Sequence, residues 1–207
     1  MKIFLASQAR HPRTIKQIIK FIGGNIKNKK IIYIPTAMNG NYFGYWKYSK
    51  TIQIFKKLSE SVDIVELENY QIINIRKKII NADIIWVAGG MTGYLLYWIR
   101  RSGFDKIILE ALKKGITYIG SSAGSMALSK TQFASEWFIG EEEPGASLLP
   151  GLGLIDFKIY PHFQAKLLPK IKKLWRHGEL YLLKDGEAIT ITDNKIKIIG
   201  KKRIIKK

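Results

Sequence analysis

The sequence predicts an α/β fold with a largely parallel, doubly wound sheet, on three observations. Apolar runs rich in Ile, Val and Tyr alternate with segments of helical period, the order that crossover helices between parallel strands produce. The run Ile84-Ile85-Trp86-Val87 has the unbroken apolar character of a strand buried on both faces. Glycine-rich turns, Gly89-Gly90 and Gly120-Ser121-Ser122-Ala123-Gly124, follow two of the strands directly.

The elements follow in order. Strands are expected at 2–6, 31–35, 62–66, 83–87 and 116–120, and helices at 12–22, 45–58, 71–80, 92–101 and 105–113. Pro12 in a first helical turn and Gly23-Gly24 beyond the end supply start and stop signals for the first helix. An irregular, acidic, Gly/Pro-rich stretch covers 135–153, then a strand at 155–160 and a helix at 164–175. Short strands at 179–183, 187–192 and 195–199 close the fold, with Asp185-Gly186 and Asp193-Asn194 as hairpin turns between them. Residues 1–200 form one domain in this reading, and 201–207 a basic tail that ends the chain as a frayed segment.

With 207 residues, 46% of them hydrophobic and 25% charged, the chain has a globular composition. Its apolar runs are far shorter than the roughly 20 residues of a membrane span, so no membrane helix is expected. Met1-Lys2-Ile3-Phe4-Leu5-Ala6 is too short for a signal peptide and reads as the first strand, which points to a cytoplasmic protein. The absence of cysteine excludes a disulfide framework, a zinc-thiolate site and a cysteine nucleophile together. No cofactor or metal is expected. The net charge of +19 could mark a nucleic-acid binder, but the lysines are spread over helices as solvated faces, which argues against that role. The tail, with five basic residues in seven, is the exception.

Gly120-Ser121-Ser122-Ala123-Gly124 fits G-x-S-x-G, in which a serine sits on a sharp turn between strand and helix. A plain Gly/Ser-rich turn would give the same pattern. The strand before it and the small-residue helix start after it add weight to a nucleophile whose neighbouring amides could stabilise an oxyanion, and on this segment alone the two readings stand even. The turn Gly89-Gly90-Met91-Thr92 lies at the carboxyl end of its strand, where open α/β sheets assemble their sites. Of three histidines, His162 in Tyr160-Pro161-His162-Phe163 stands where a strand gives way to a loop, within reach of a neighbouring strand end.

Taken jointly, Gly-Gly-x-Thr on a strand end, G-x-S-A-G about thirty residues later and Pro-His-Phe about forty beyond that resemble the dipeptidase E (aspartyl dipeptidase) and cyanophycinase family of serine peptidases. The resemblance spans essentially the whole chain and implies a class I glutamine amidotransferase-like fold with serine at the elbow. It implies Ser122 as nucleophile, His162 as general base, and the backbone amides of Gly90 and Ala123 as oxyanion hole. For the orienting acid it implies Glu136, with Glu141, Glu142 and Glu143 as the fallback. Where that family holds a substrate's Asp carboxylate with arginine, this chain offers Lys166, a point charge without a bidentate fork. The expected activity is hydrolysis of short peptides, including dipeptides with N-terminal Asp, by an enzyme that could be a homodimer. Two other readings stay open: an α/β-hydrolase esterase, and a noncatalytic domain that binds a small ligand or nucleic acid.

Overall fold

Two sheets divide the strands in this computed structural model, which describes residues 1–41, 44–69, 72–138 and 142–207. In chain order the first half comprises β1 (Lys2–Ala6), α1 (Pro12–Phe21), β2 (Lys30–Ile34), α2 (Thr36–Asn39), α3 (Lys50–Leu58), β3 (Ser61–Ile64), α4 (Ile72–Ile79) and β4 (Ile84–Val87). Then come α5 (Thr92–Ser102), α6 (Phe104–Lys113), β5 (Thr117–Ser121), α7 (Ala123–Met126), α8 (Phe133–Glu136), β6 (Lys158–Tyr160) and α9 (Leu168–Leu174). The chain ends with β7 (Glu179–Leu182), β8 (Ala188–Thr192), β9 (Lys195–Ile199) and β10 (Ile204–Lys206).

The larger sheet has the order β3-β2-β4-β5-β1-β8-β9. Its first five strands are parallel, and β8 and β9 add an antiparallel hairpin beside β1. The fold is thus mostly parallel α/β, consistent with the class I glutamine amidotransferase type. One face packs Phe4, Tyr33 and Trp86 against Ile18 of α1 and Phe55 of α3. The other packs Leu5, Ile34 and Val87 against α4, α5 and α6 through residues such as Ile75, Leu95 and Ile107. Strands buried on both sides explain the unbroken apolar runs.

The smaller sheet, β10-β7-β6, pairs β6 with β7 in parallel and β10 with β7 antiparallel. Alternate residues of β7 serve two cores. Tyr181 joins the core shared with the large sheet, whereas Leu180 and Leu182 join a cluster with Ile171 of α9, Trp175 and Ile205. The period of two puts successive side chains on opposite faces, so this short strand is buried on both.

Several expectations are corrected here. The helix expected at 45–58 divides at Ser49, whose extended backbone (φ −71°, ψ 146°) separates the 3-10 turn Tyr45–Tyr48 from α3. The three closing strands are not one meander, because β7 belongs to the smaller sheet and β8 crosses to the larger one. Asp185-Gly186 therefore bridges two sheets, whereas Asp193 and Asn194, both at positive φ, do close the β8–β9 hairpin. The tail is no frayed end: Ile204–Lys206 pairs with β7, Ile205 is buried, and Arg203 forms an ion pair with the buried Glu187 at 2.6 Å.

Candidate active site

Ser122 follows β5 immediately and takes φ 47°, ψ −110°, a conformation that costs a non-glycine residue on the order of 1–3 kcal/mol. Its surroundings enforce that conformation. The Ser122 N–H and the Ser125 hydroxyl both donate to the Ala6 carbonyl, at 3.0 and 2.9 Å, which ties the turn to the end of β1. The flanking residues must be small: a Cβ on Gly124 would lie 2.5 Å from the Val87 carbonyl oxygen. Gly89 brings the β4 turn against the serine, since its own Cβ would stand 3.0 Å from Ser122 Cβ. Gly90, at φ 138°, abuts the Ala37 carbonyl where any side chain would collide, and among the described residues its N–H has no hydrogen-bond partner.

The imidazole arrives from the other sheet. His162 lies just past β6 at φ 53°, so it shares with Ser122 the left-handed backbone that β-carbons disfavour. Its Nε2 stands 3.1 Å from Ser122 Oγ, and its Nδ1 stands 2.7 Å from Asp185 Oδ1. Asp185 lies just past β7, the parallel neighbour of β6, so adjacent strand ends deliver base and acid side by side. Ser7 joins them. Its fully buried hydroxyl donates to Asp185 Oδ1 at 2.8 Å and accepts the His162 backbone N–H at 2.8 Å, and Gln8 Nε2 donates to Asp185 Oδ2 at 3.3 Å.

These groups open onto a cleft of about 720 Å³ whose wall includes Arg10, Tyr33, Trp86, Gly90, Ser122 and His162. Burial pushes the Tyr33 hydroxyl well above the usual tyrosine range, although the nearby Thr51 and the Arg10 charge act in the opposite sense, so that hydroxyl keeps its proton at neutral pH. Among the described residues no cluster of His, Asp and Glu could hold a metal ion, and no helix is long and apolar enough to cross a membrane.

Of the residues singled out in the sequence, Ser122, His162 and Gly90 line this cleft, with Ala123 directly after the serine at the start of α7. Glu136 does not orient His162. Its carboxylate accepts from the Ser147 N–H at 3.2 Å and from the Ser147 hydroxyl, because α8 packs against the turn Ala146–Leu148. Among the fallback acids, Glu143 caps α5 by accepting from the Thr92 and Gly93 amides at 2.6 Å each, Glu142 is an exposed part of the cleft wall, and Glu141 lies outside the described residues. Lys166 is exposed on the turn Ala165–Leu167 and is not part of the cleft wall. The sequence reading missed Asp185, Ser7 and Arg10. An acid just past the strand paired with the histidine's own strand was the available signal, and an Asp-Gly pair that looks like a hairpin turn obscured it.

Comparison with known proteins places the chain in a family. The model of peptidase family S51 matches residues 3–199. A Pasteurella multocida protein described as an uncharacterized peptidase is 28% identical over 163 residues, covering 78% of this chain and 77% of its own length. Peptidase E of a Nostoc species is 26% identical over 202 residues, 91% of this chain and 79% of that protein. Among solved structures, a Listeria monocytogenes protein of the peptidase E type superposes with a TM-score of 0.79 at 23% identity over 95% of this chain and 96% of its own. A peptidase from an acI-B1 actinobacterium gives a TM-score of 0.70 at 18% identity, covering 99% of this chain and 93% of that one. At those identities the two structures establish the fold.

Proposed function

The chain belongs to peptidase family S51 and is a serine-type peptidase, and from that premise we propose that it hydrolyses short peptides through a Ser122–His162–Asp185 triad and an acyl-enzyme. One observation carries the reading: a continuous relay runs from Ser122 Oγ through both imidazole nitrogens to a carboxylate, at 3.1 and 2.7 Å. His162 Nε2 takes the Ser122 proton as Oγ attacks the scissile carbonyl, then gives that proton to the departing amine. Water, activated by the same nitrogen, releases the acid product and restores the serine. Asp185 fixes the imidazole with Nδ1–H toward itself and stabilises the imidazolium that forms. The Gly90 and Ala123 amides are the donors to the oxyanion. Gly90 suits the role because its N–H is without a partner among the described residues and its turn is pressed against Ser122.

The test is labelling with a fluorophosphonate, followed by mapping of the modified residue. Modification at Ser122, with loss of both labelling and dipeptide hydrolysis in Ser122→Ala, is the expected result. Hydrolysis that survives at more than a tenth of its rate in that variant would remove Ser122 from the mechanism.

A further inference from the structure

A second cavity of about 480 Å³ adjoins the catalytic cleft, and the two share Gln8 and Arg10 in their walls. It lies between the start of α1 and one face of α3, on which Lys50, Gln53, Ile54 and Lys57 recur at helical spacing. With His11 from the start of α1, the wall gathers Arg10, Lys50 and Lys57 around one space, and no acidic residue lines it among the described residues. Nor do Arg10, Lys50 and Lys57 take part in any of the ion pairs found among the described residues. Three such cations around one cavity repel one another, and an anion bound between them relieves that repulsion.

The cleft is also polarised. Glu142 and Glu143 sit in its wall on the α5 side, whereas Arg10 sits on the α1 and α3 side, with Ser122 on the sheet between the two helix layers. A short peptide with free termini carries the matching dipole, ammonium at one end and carboxylate at the other. We propose that the basic second cavity is the subsite for the anionic, carboxyl-terminal end of the substrate. The enzyme therefore acts on short peptides with a free C-terminal carboxylate and favours an acidic residue on the leaving side. This inference rests on the triad reading above. Arg10, common to both cavities, is placed for the terminal carboxylate, which its planar guanidinium can hold with two parallel hydrogen bonds. Lys50 and Lys57, further out on α3, act as point charges on an acidic side chain of the leaving residue or on the carboxylate of a longer peptide.

The experiment compares a dipeptide with its C-terminal amide, and a Glu with a Gln leaving residue, using the whole chain, Arg10→Gln and Lys57→Met. In the parent enzyme the free acid should have about ten-fold higher kcat/KM than the amide, mostly through KM, as one partly exposed charge-assisted contact provides, and the ratio should shrink in added salt. Arg10→Gln should bring the acid-to-amide ratio close to one, and Lys57→Met should lower the Glu-over-Gln preference. Equal use of acid and amide by the parent, or an unchanged ratio in Arg10→Gln, overturns the subsite while fluorophosphonate labelling at Ser122 leaves the triad standing. Absence of both labelling and hydrolysis with every substrate would instead overturn the triad reading, and the subsite with it.

Discussion

Replacing Asp185 with Asn separates two roles of a triad acid, because the network here constrains the amide. Ser7 Oγ accepts the His162 backbone N–H, so its own proton is committed to Asp185 Oδ1. Whatever atom occupies that position must accept a hydrogen bond. The substituted amide would therefore place its oxygen there and its amino group toward Gln8, which can turn its own amide to match. The imidazole keeps Nδ1–H directed at an acceptor, so the tautomer survives and only the charge is lost. In triads where the substitution imposes the wrong tautomer, the loss is about 10⁴-fold. Here the lost interaction is one charge on an imidazolium in contact at 2.7 Å, with the two side chains 32% and 39% exposed. For centres about 4 Å apart that is roughly 1–4 kcal/mol between bulk water and an effective dielectric of 20, and partial exposure favours the lower half. At 1.36 kcal/mol per decade, kcat should fall about 10- to 100-fold with little change in KM or melting temperature. Turnover of Asp-Leu under saturating conditions measures it, beside Glu136→Gln, which should leave kcat near the parent value. A loss of 10⁴-fold would show that Ser7 does not fix the amide, and a larger loss in Glu136→Gln would return the acid's role to that residue.

Three further outcomes follow from the same contacts. His162→Ala should be about as costly as Ser122→Ala, and the double variant no worse than either, since the two act as one unit; multiplying losses in steady-state assays would break the pairing. Ser7→Ala removes the donor to Asp185 and the acceptor for the His162 backbone, so kcat should fall about ten-fold in the parent and further still in an Asp185→Asn background, where nothing then holds the amide oxygen toward Nδ1–H, a non-additivity that a general packing defect would not produce. Burial raises the Glu187 carboxyl, but the Arg203 guanidinium and the Lys184 and Lys201 amides outweigh it and hold the group below the ordinary Glu value of 4.5. A lowered folded-state value stabilises the fold above the unfolded value and is lost as pH falls, so the melting-temperature gap between parent and Arg203→Met should be widest at neutral pH and narrow below about pH 4.5.

What the sequence disclosed of the site depended on how local the physical requirement was. The Ser122 turn is legible because its glycines answer contacts within a few residues and one neighbouring strand: Gly124 must clear Val87, and Gly120 must clear Gly124. His162 is legible because Pro161 ends β6 and leaves a polar side chain at a strand terminus. Asp185 is not, because its role depends on β7 lying parallel to β6 in a separate sheet, a pairing across about twenty residues. The unbroken apolar run Leu180, Tyr181, Leu182 and Leu183 carried a hint. Apolar on both faces, it does not suit an outer meander with one face in water. Lys166 failed for the converse reason, since closeness to His162 along the chain put it on a solvent-facing turn.

The tail reverses the expectation drawn from composition, and one substitution decides between the two views. Five basic residues in seven look like a solvated end, yet Ile204 and Ile205 interrupt them, and the structure uses both. Ile205 is 8% exposed and packs with Trp175, Leu180 and Leu182, and β10 supplies the outer partner of β7, the strand that ends beside Asp185. Truncating such a residue to Ala removes about 2–5 kcal/mol, and in a domain of this size each kcal/mol moves the melting temperature by about 2–4 °C. Ile205→Ala should therefore lower it by roughly 4–20 °C, whereas Lys201→Ala and Lys202→Ala, exposed and outside the strand, should shift it by about a degree. Calorimetry on the three variants reads the difference. If Ile205→Ala melts with the parent, the tail is a frayed end after all, and β7 holds its register, and with it Asp185, without β10.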